Sequence, residues 1–392
     1  KVLGSPGCLA GAAAHLLFLY NFFYLSKIYE KRPQNSRFER SNHMKYRKWM
    51  ASTLALALAG TLLTAAGCSV PGQEGTSTAS TAGMPAEKTV LICSTWIGYA
   101  PLHLAAEKGF FEEEGLDVDI RLIENGGDTK AAIIANQGQV LAQTLDTEVL
   151  AKSSGADIKE VLPLCDSNGG DGVVAKKEYH SLADLKGKTI AMDTTGTPSL
   201  FWFNMMLEEQ NLSMEDFDIK NMPAGDAGAA FVAGKVDAAV TWEPWLSKAN
   251  ETGFGQTLYS SKDYPGVIVD TLAVRSDYAE QYPKAVQALI RAWFRAVEYA
   301  KENPDDANPI MAKSQGMSTE DFEEQLQNVR YYDEAYAEEY LCGGKMTEMA
   351  QKASDLWTEV NLMEEPVDAK TLVDASYLTA VLEGSASSTS EA

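Results

Sequence analysis

The tetrapeptide Trp242-Glu243-Pro244-Trp245 sets two indoles around a carboxylate, at what reads as the end of a strand. Indole faces stack on flat or cationic groups, and a carboxylate between them accepts N–H bonds, so the segment suits a planar, N–H-bearing partner. The plain alternative is structural, with Trp245 packed in a core and Glu243 capping a helix that opens at Pro244. A second aromatic pair, Trp96 and Tyr99, flanks Gly98 just after the apolar run that begins at Thr89. Asp146 and Thr147 stand in a similar place, directly after the apolar run Val140 to Leu145. In Thr195-Gly196-Thr197-Pro198-Ser199, Thr197 reads as an N-cap with Pro198 at the first helical position. The N–H groups of such a helix start can receive a negative or carbonyl oxygen, although an ordinary capped helix reads the same way. No catalytic residue, metal or cofactor is expected. From Cys68 onward the only histidines are His103 and His180, the cysteines lack metal-like spacing, and no nucleophile elbow or phosphate loop appears.

The elements that must position these residues read as α/β. Thr89 to Ser94 is a short β-branched run of buried-strand type, followed by a helix that closes at Gly109 and a second strand over Leu116 to Ile123. That is a β-α-β unit with a parallel sheet, and ligands of such sheets sit beyond the carboxyl ends of the strands, where Trp96 to Tyr99 falls. A half-repeat supports a second, similar unit. Ala131 to Ala135 followed by Gly138-x-Val140-x-Ala142 parallels Ala229 to Ala233 followed by Gly234-x-Val236-x-Ala238. Four residues past the matched alanines stand Asp146 and Trp242. The pattern predicts two α/β lobes that face each other, 88–170 with 271–382 and 171–270. The Gly-rich stretch Asp166 to Gly172 is one crossing between them, and the strand Val267 to Val274, with Asp270, marks the return. Val286, Leu289, Ile290, Trp293, Phe294 and Val297 recur at helical spacing and predict an amphipathic helix against the first lobe. The segments Thr319 to Tyr332 and Thr347 to Leu362 read as helical. Cys93 and Cys165 read as buried core residues.

The leading residues carry a different signal. Met44 begins a basic stretch, then an apolar run, then Ala65-Ala66-Gly67-Cys68. This reads as a signal peptide over 44–67 with Cys68 as the lipidated residue; the run is too short for an ordinary membrane span. Residues 1–43 then have no place in the mature protein. They read as upstream DNA translated in frame, since Arg40-Ser41 can be encoded by a purine-rich ribosome-binding sequence. Residues 68–87 predict a flexible tether and 383–392 a disordered tail. The chain carries a net charge of −22; with the nine basic and two acidic residues of the first 67 set aside, 24 basic side chains face 53 acidic ones, a net −29. Such a surface repels nucleic acid and anionic lipid.

With these residues in hand, 88–382 resembles the solute-binding proteins of ABC importers, of the nitrate/sulfonate/taurine type that also includes pyrimidine-precursor binders. The resemblance rests on Gly98-x-x-Pro101-Leu102, on Ala105-x-Glu107-Lys108-Gly109-Phe110-Phe111, and on Gly115-Leu116-x-Val118. It rests also on Leu182-x-Asp184-Leu185-Lys186-Gly187-Lys188-x-Ile190-Ala191 and Ala233-Gly234-Lys235-Val236-Asp237-Ala238. It implies a type II periplasmic-binding-protein fold with a ligand cleft between two lobes. It also implies a lipid-anchored, extracytoplasmic monomer that closes on a small polar molecule and delivers it to a membrane permease. Thr197 and Ser199 match the anion-holding helix starts of sulfonate binders. Trp242, Glu243 and Asp146 depart from them and favour an amino-sulfonate, a urea- or guanidine-like compound, or a pyrimidine. The alternative is an enzyme related to the synthases of the thiamine pyrimidine, which share the fold; their cysteine-rich motif is absent here, and His103 is the nearest candidate for a catalytic group.

Overall fold

A computed structural model describes residues 83–389. Cys68, the signal peptide read over 44–67, residues 1–43 and most of the tether lie outside the described residues. Two sheets organise the rest. The first has the order β11-β4-β10-β3-β1-β2 and the second β7-β6-β8-β5-β9. In chain order the strands are β1 (Thr89–Cys93), β2 (Val118–Leu122), β3 (Val140–Thr144), β4 (Ile158–Ser167), β5 (Asp171–Lys176) and β6 (Thr189–Met192). They continue with β7 (Asp218–Asn221), β8 (Ala238–Trp242), β9 (Gly255–Ser260), β10 (Val269–Arg275) and β11 (Val329–Tyr331). The principal helices are α1 (Ala100–Glu107), α2 (Gly126–Ile134), α3 (Leu145–Ser153), α4 (Pro198–Glu209), α5 (Ala224–Val232), α6 (Trp245–Glu251), α7 (Pro283–Glu302), α8 (Lys345–Glu359) and α9 (Ser376–Thr389).

Each sheet is parallel at one end, β2-β1-β3 in the first and β7-β6-β8 in the second. Beyond β3 and β8 the strands turn antiparallel and carry the chain between the sheets. β10 runs antiparallel to both β3 and β4, and β5 antiparallel to both β8 and β9. The two crossings lie side by side and are bonded together. Ser167 N donates to Ile268 O at 3.0 Å. Ser261 Oγ lies 2.8 Å from Ser167 Oγ and accepts from Gly169 N at 2.8 Å. This is the arrangement of two α/β lobes around a cleft.

The long helix α7 buries its apolar stripe, including Val286, Leu289, Ile290, Trp293 and Phe294, on the first lobe, as its periodicity requires. Trp293 and Trp357 are fully buried there and Trp202 in the second lobe. The lobes touch: the Phe201 ring of α4 lies 5.9 Å from the Trp357 ring of α8.

Two segments differ from the sequence reading. Thr319–Leu326 is helical, but Val329–Tyr331 is a strand paired with Ser167 to Cys165 at the edge of the first sheet. Three residues are too few for alternation to show, and acidic neighbours masked them. The helix α9 extends through Thr389, so the Ser-rich stretch read as a disordered tail begins as helix.

Candidate functional site

The loop after β1 is a single 3₁₀ turn, Ile97–Tyr99, running straight into α1 with Pro101 in its first turn. The turn points two donors at one carboxylate. Trp96 Nε1 donates to Asp270 Oδ2 at 2.8 Å and Tyr99 OH donates to Asp270 Oδ1 at 2.5 Å. The Cys165 thiol of β4 donates to Asp270 Oδ2 at 3.3 Å. Asp270, near the start of β10, is 2% exposed and sits opposite Thr144 of β3 and Cys165 of β4. Burial pushes its carboxyl above the usual carboxylate range, while the three donors pull it back. Burial and the Asp270 charge in turn push the Tyr99 hydroxyl and the Cys165 thiol well up, so both stay protonated as donors.

Gly98 has no room for a side chain. A Cβ there would lie 2.5 Å from Cys165 Sγ and closer still to Trp96 Nε1. Gly98→Ala is therefore expected to pull Trp96 or Cys165 off Asp270. The loss should be about 1–3 kcal/mol of stability in urea denaturation, the usual range for overpacking.

Trp96 also reaches the second lobe's edge. Its ring lies beside Gly170 in the crossing between β4 and β5, where a Cβ would meet Trp96 Cη2 at 3.6 Å. Gly170 O accepts from Glu243 N at 2.9 Å. The next residue, Asp171, opens β5 in register with Trp242, the last residue of β8. Trp96 and Tyr99 from one lobe and Trp242 from the other thus gather at the crossing, together with Asp270 and Asp171. Trp242 is 40% exposed, unusual for an indole at a strand end. Asp171 is buried, and burial raises its carboxyl to about 6 against the opposing bond from Ser167, with Asp270 adding to the rise.

Glu243 bonds to its own helix. Its carboxylate accepts from Ser247 N at 3.1 Å and Ser247 Oγ at 3.0 Å in the first turn of α6, and it is only partly buried. Each of its oxygens thus has one donor from its own helix. Trp245 packs over Gly228 and beneath Lys248, whose Nζ lies 4.4 Å from the ring centroid.

Asp146 and Trp242 are not strictly equivalent. β3 ends at Thr144 and α3 begins at once, which places Asp146 in a helical first turn, whereas β8 runs to Trp242. Asp146 is 3% exposed and its Oδ2 has no partner among the described residues. Burial raises its carboxyl to about 7; bonds from Thr144 and from the backbone of Asp146 and Thr147 oppose this, and Asp270 adds to it. Thr147 Oγ1 is engaged locally, donating to Thr144 O at 2.8 Å.

On the other wall, Thr197 caps α4 by accepting from Leu200 N, and Thr195 N and Oγ1 both donate to Asp193. Gly196 has φ +86° and closes against the first lobe, where a Cβ would meet Leu150 Cδ1 at 2.7 Å. Ser199 is buried in the first turn of α4. These residues reach the interlobe boundary, and they stand on a different element from the Asp270 cluster.

His103 in α1 is partly buried and its Nε2 is unpartnered among the described residues; burial lowers its pKa. Among the described residues no three His, Cys, Asp or Glu side chains converge to hold a metal ion. A cavity of about 660 Å³, lined by Phe294, Val297, Met311, Val329 and Tyr331, lies between α7 and β11. It connects to the cluster through Tyr331, whose hydroxyl donates to Ile97 O at 2.8 Å.

Sequence reasoning missed Asp270, Asp171 and Cys165 as site residues. Asp270 did leave a trace, as a lone charge inside the apolar run Val267 to Val274.

The architecture is that of periplasmic binding proteins. It superposes on the periplasmic aliphatic sulphonate binding protein SsuA from Escherichia coli with a TM-score of 0.63 at 18% identity, covering 73% of this chain and 92% of that one. The family model described as NMT1/THI5 like matches residues 96–307, and the chain belongs to that family. The chain is 25% identical over 299 residues to the "Putative aliphatic sulfonates-binding protein" of Bacillus subtilis, covering 72% of this chain and 85% of that protein. It is 28% identical over 222 residues to the formylaminopyrimidine-binding protein of Halalkalibacterium halodurans, covering 55% and 66%.

Proposed function

We propose that this chain is the solute-binding component of an ABC importer, capturing a small polar molecule between its lobes by hinge closure and handing it to a membrane permease. The observation that carries this reading is the convergence of Trp96 and Tyr99 from one lobe with Asp171 and Trp242 from the other at the paired crossings. Two lobes joined by two adjacent strands can rotate about those strands, and aromatic groups on both sides then close on a ligand held at the strand ends. The lobes are 88–170 with 271–382 and 171–270. The relatives named as binders of aliphatic sulfonates and of formylaminopyrimidine favour binding over turnover. His103 Nε2 has no hydrogen-bond partner among the described residues, so no second group there is set to act with it.

A melting-temperature screen of the purified chain against sulfonates, nitrate, ureas, guanidines and pyrimidines tests the reading. A saturable rise with at least one compound, without its conversion, supports it; turnover that disappears in His103→Ala would replace it with the enzyme reading. A ligand at 100 times its Kd stabilises by about 2.7 kcal/mol, which such a screen resolves.

We place the protein outside the cytoplasm as a monomer, held to the membrane by lipid on Cys68. Among the described residues no helix is long and apolar enough to cross a membrane. Cys68→Ala is expected to move the protein from the membrane pellet to the soluble fraction without changing its melting temperature.

A further inference from the structure

Three carboxyls line the crossing region, Asp146 at the start of α3, Asp171 at the start of β5 and Asp270 at the start of β10, and all are nine-tenths or more buried. None is in an ion pair among the described residues, although thirteen other ion pairs are present there. Their bonding differs in a way that singles one out. Asp270 accepts from Trp96, Tyr99 and Cys165, which fills the positions an ionised carboxylate needs. Asp171 has the Ser167 hydroxyl. Asp146 Oδ2 is buried with no partner among the described residues, two residues past Thr144, which stands opposite Asp270 in the sheet. An unpartnered buried carboxylate is costly, and a cation with N–H donors removes that cost.

The surroundings narrow the cation. Among the described residues no three acidic, His or Cys side chains come close enough to bind one metal ion. Two of the carboxyls stand next to indoles: Trp96 is bonded to Asp270 and lies beside Gly170, and Trp242 is opposite Asp171 in the strand register. Indole faces attract cations and stack on flat ones. We propose that the ligand of this interlobe site is a flat, N–H-rich organic cation of the amidinium or guanidinium type, with Asp146 Oδ2 as its acceptor and Trp96 and Trp242 as its ring contacts. This deepens the solute-binding reading and rests on it.

The test uses the full chain and six probes: benzamidine and ethylguanidine as cations, ethanesulfonate and nitrate as anions, taurine as zwitterion and uracil as a neutral ring. Melting temperature ranks them and titration calorimetry measures the binders. The expected result is a rise with benzamidine or ethylguanidine, with affinity falling tenfold or more in Asp146→Asn and unchanged in Asp128→Asn, an exposed carboxylate at the start of α2. Asp146→Asn itself should melt no lower than the parent, so a loss of binding is not a loss of folding. A rise with ethanesulfonate, nitrate, taurine or uracil but with neither cation overturns the charge assignment and leaves the solute-binding reading standing. Cation binding that survives Asp146→Asn unchanged overturns the role of Asp146. No rise with any probe overturns the ligand class, while the wider melting-temperature screen described above decides the solute-binding reading separately.

Discussion

The free protein is expected to melt at progressively lower temperature as the pH is raised from 5 to 8. The acids responsible are buried ones whose carboxyls sit above their ordinary range: Asp171 at about 6, Asp146 at about 7, and the facing pair Glu148 and Glu160, raised chiefly by burial. In the unfolded chain these groups release their protons near pH 4. Between pH 4 and the folded values the native state therefore holds protons that the unfolded state has lost. The stability this contributes is complete below the unfolded pKa and disappears as the pH rises through 6 and 7. At about 1.4 kcal/mol per unit of difference, Asp146 and Asp171 together withdraw about 4 kcal/mol between pH 5 and 8. The groups facing Asp146 are Thr144 and Thr147 within its own turn and Asp270 across the sheet, and none carries positive charge. The acids whose pKa is lowered, such as Asp237 and Asp277, act below pH 4 and do not oppose the trend. His103, lowered by burial, does oppose it below its ordinary value, as a single half-buried group. Calorimetric melting at pH 5, 6, 7 and 8 checks this. Asp146→Asn should flatten the slope, and a melting temperature that holds level or rises over this range refutes the assignment.

How far the sequence foretold this molecule depended on the range of the interactions involved. Local signals were readable. The Thr197-Pro198 start of α4 has the cap and first-turn proline that its residue types require, and the apolar spacing of α7 matches its buried face. The β-α-β unit opening at Thr89 and the matched unit before Trp242 gave two α/β lobes because each strand is a compact apolar run ended by glycine or proline. The cluster around Asp270 was harder. Its donors lie at positions 96, 99 and 165, and only the antiparallel insertion of β10 between β3 and β4 brings them together. No spacing rule spans 174 residues. Glu243 left two readings open, ligand contact or helix cap. Between two tryptophans it reads as a buried carboxylate in need of a ligand, yet a residue just before a helix can meet its own needs, and Ser247 supplies both donors. Asp146, by contrast, is among the buried acids with an unmet oxygen, as are Glu148 and Glu160.

Arg330→Met is expected to be among the most damaging single substitutions in the first lobe, at about 3–5 kcal/mol, the usual cost of removing one partner of a buried ion pair. Arg330 on β11 holds Asp166 of β4 with two nitrogens: Nε donates to Oδ1 at 3.0 Å and Nη2 pairs with Oδ2. Asp166 is fully buried, so without Arg330 its charge has no other cation among the described ion pairs. The same carboxylate accepts from Gly266 N at 2.9 Å, in the return crossing that leads to β10. Asp166 thus ties the outgoing crossing, one residue before Ser167, to the returning one. The guanidinium also has Nη1 donating to Tyr336 OH at 2.8 Å and lies 4.6 Å from the Tyr336 ring, so methionine keeps part of the packing and loses the charge. Urea denaturation measures the cost. The double variant Arg330→Met with Asp166→Asn separates charge from packing, because the amide removes the stranded charge while still accepting from Gly266 N. It should recover a substantial share of the lost stability, and a double variant no more stable than Arg330→Met alone would show that packing of β11, not the buried charge, sets the cost.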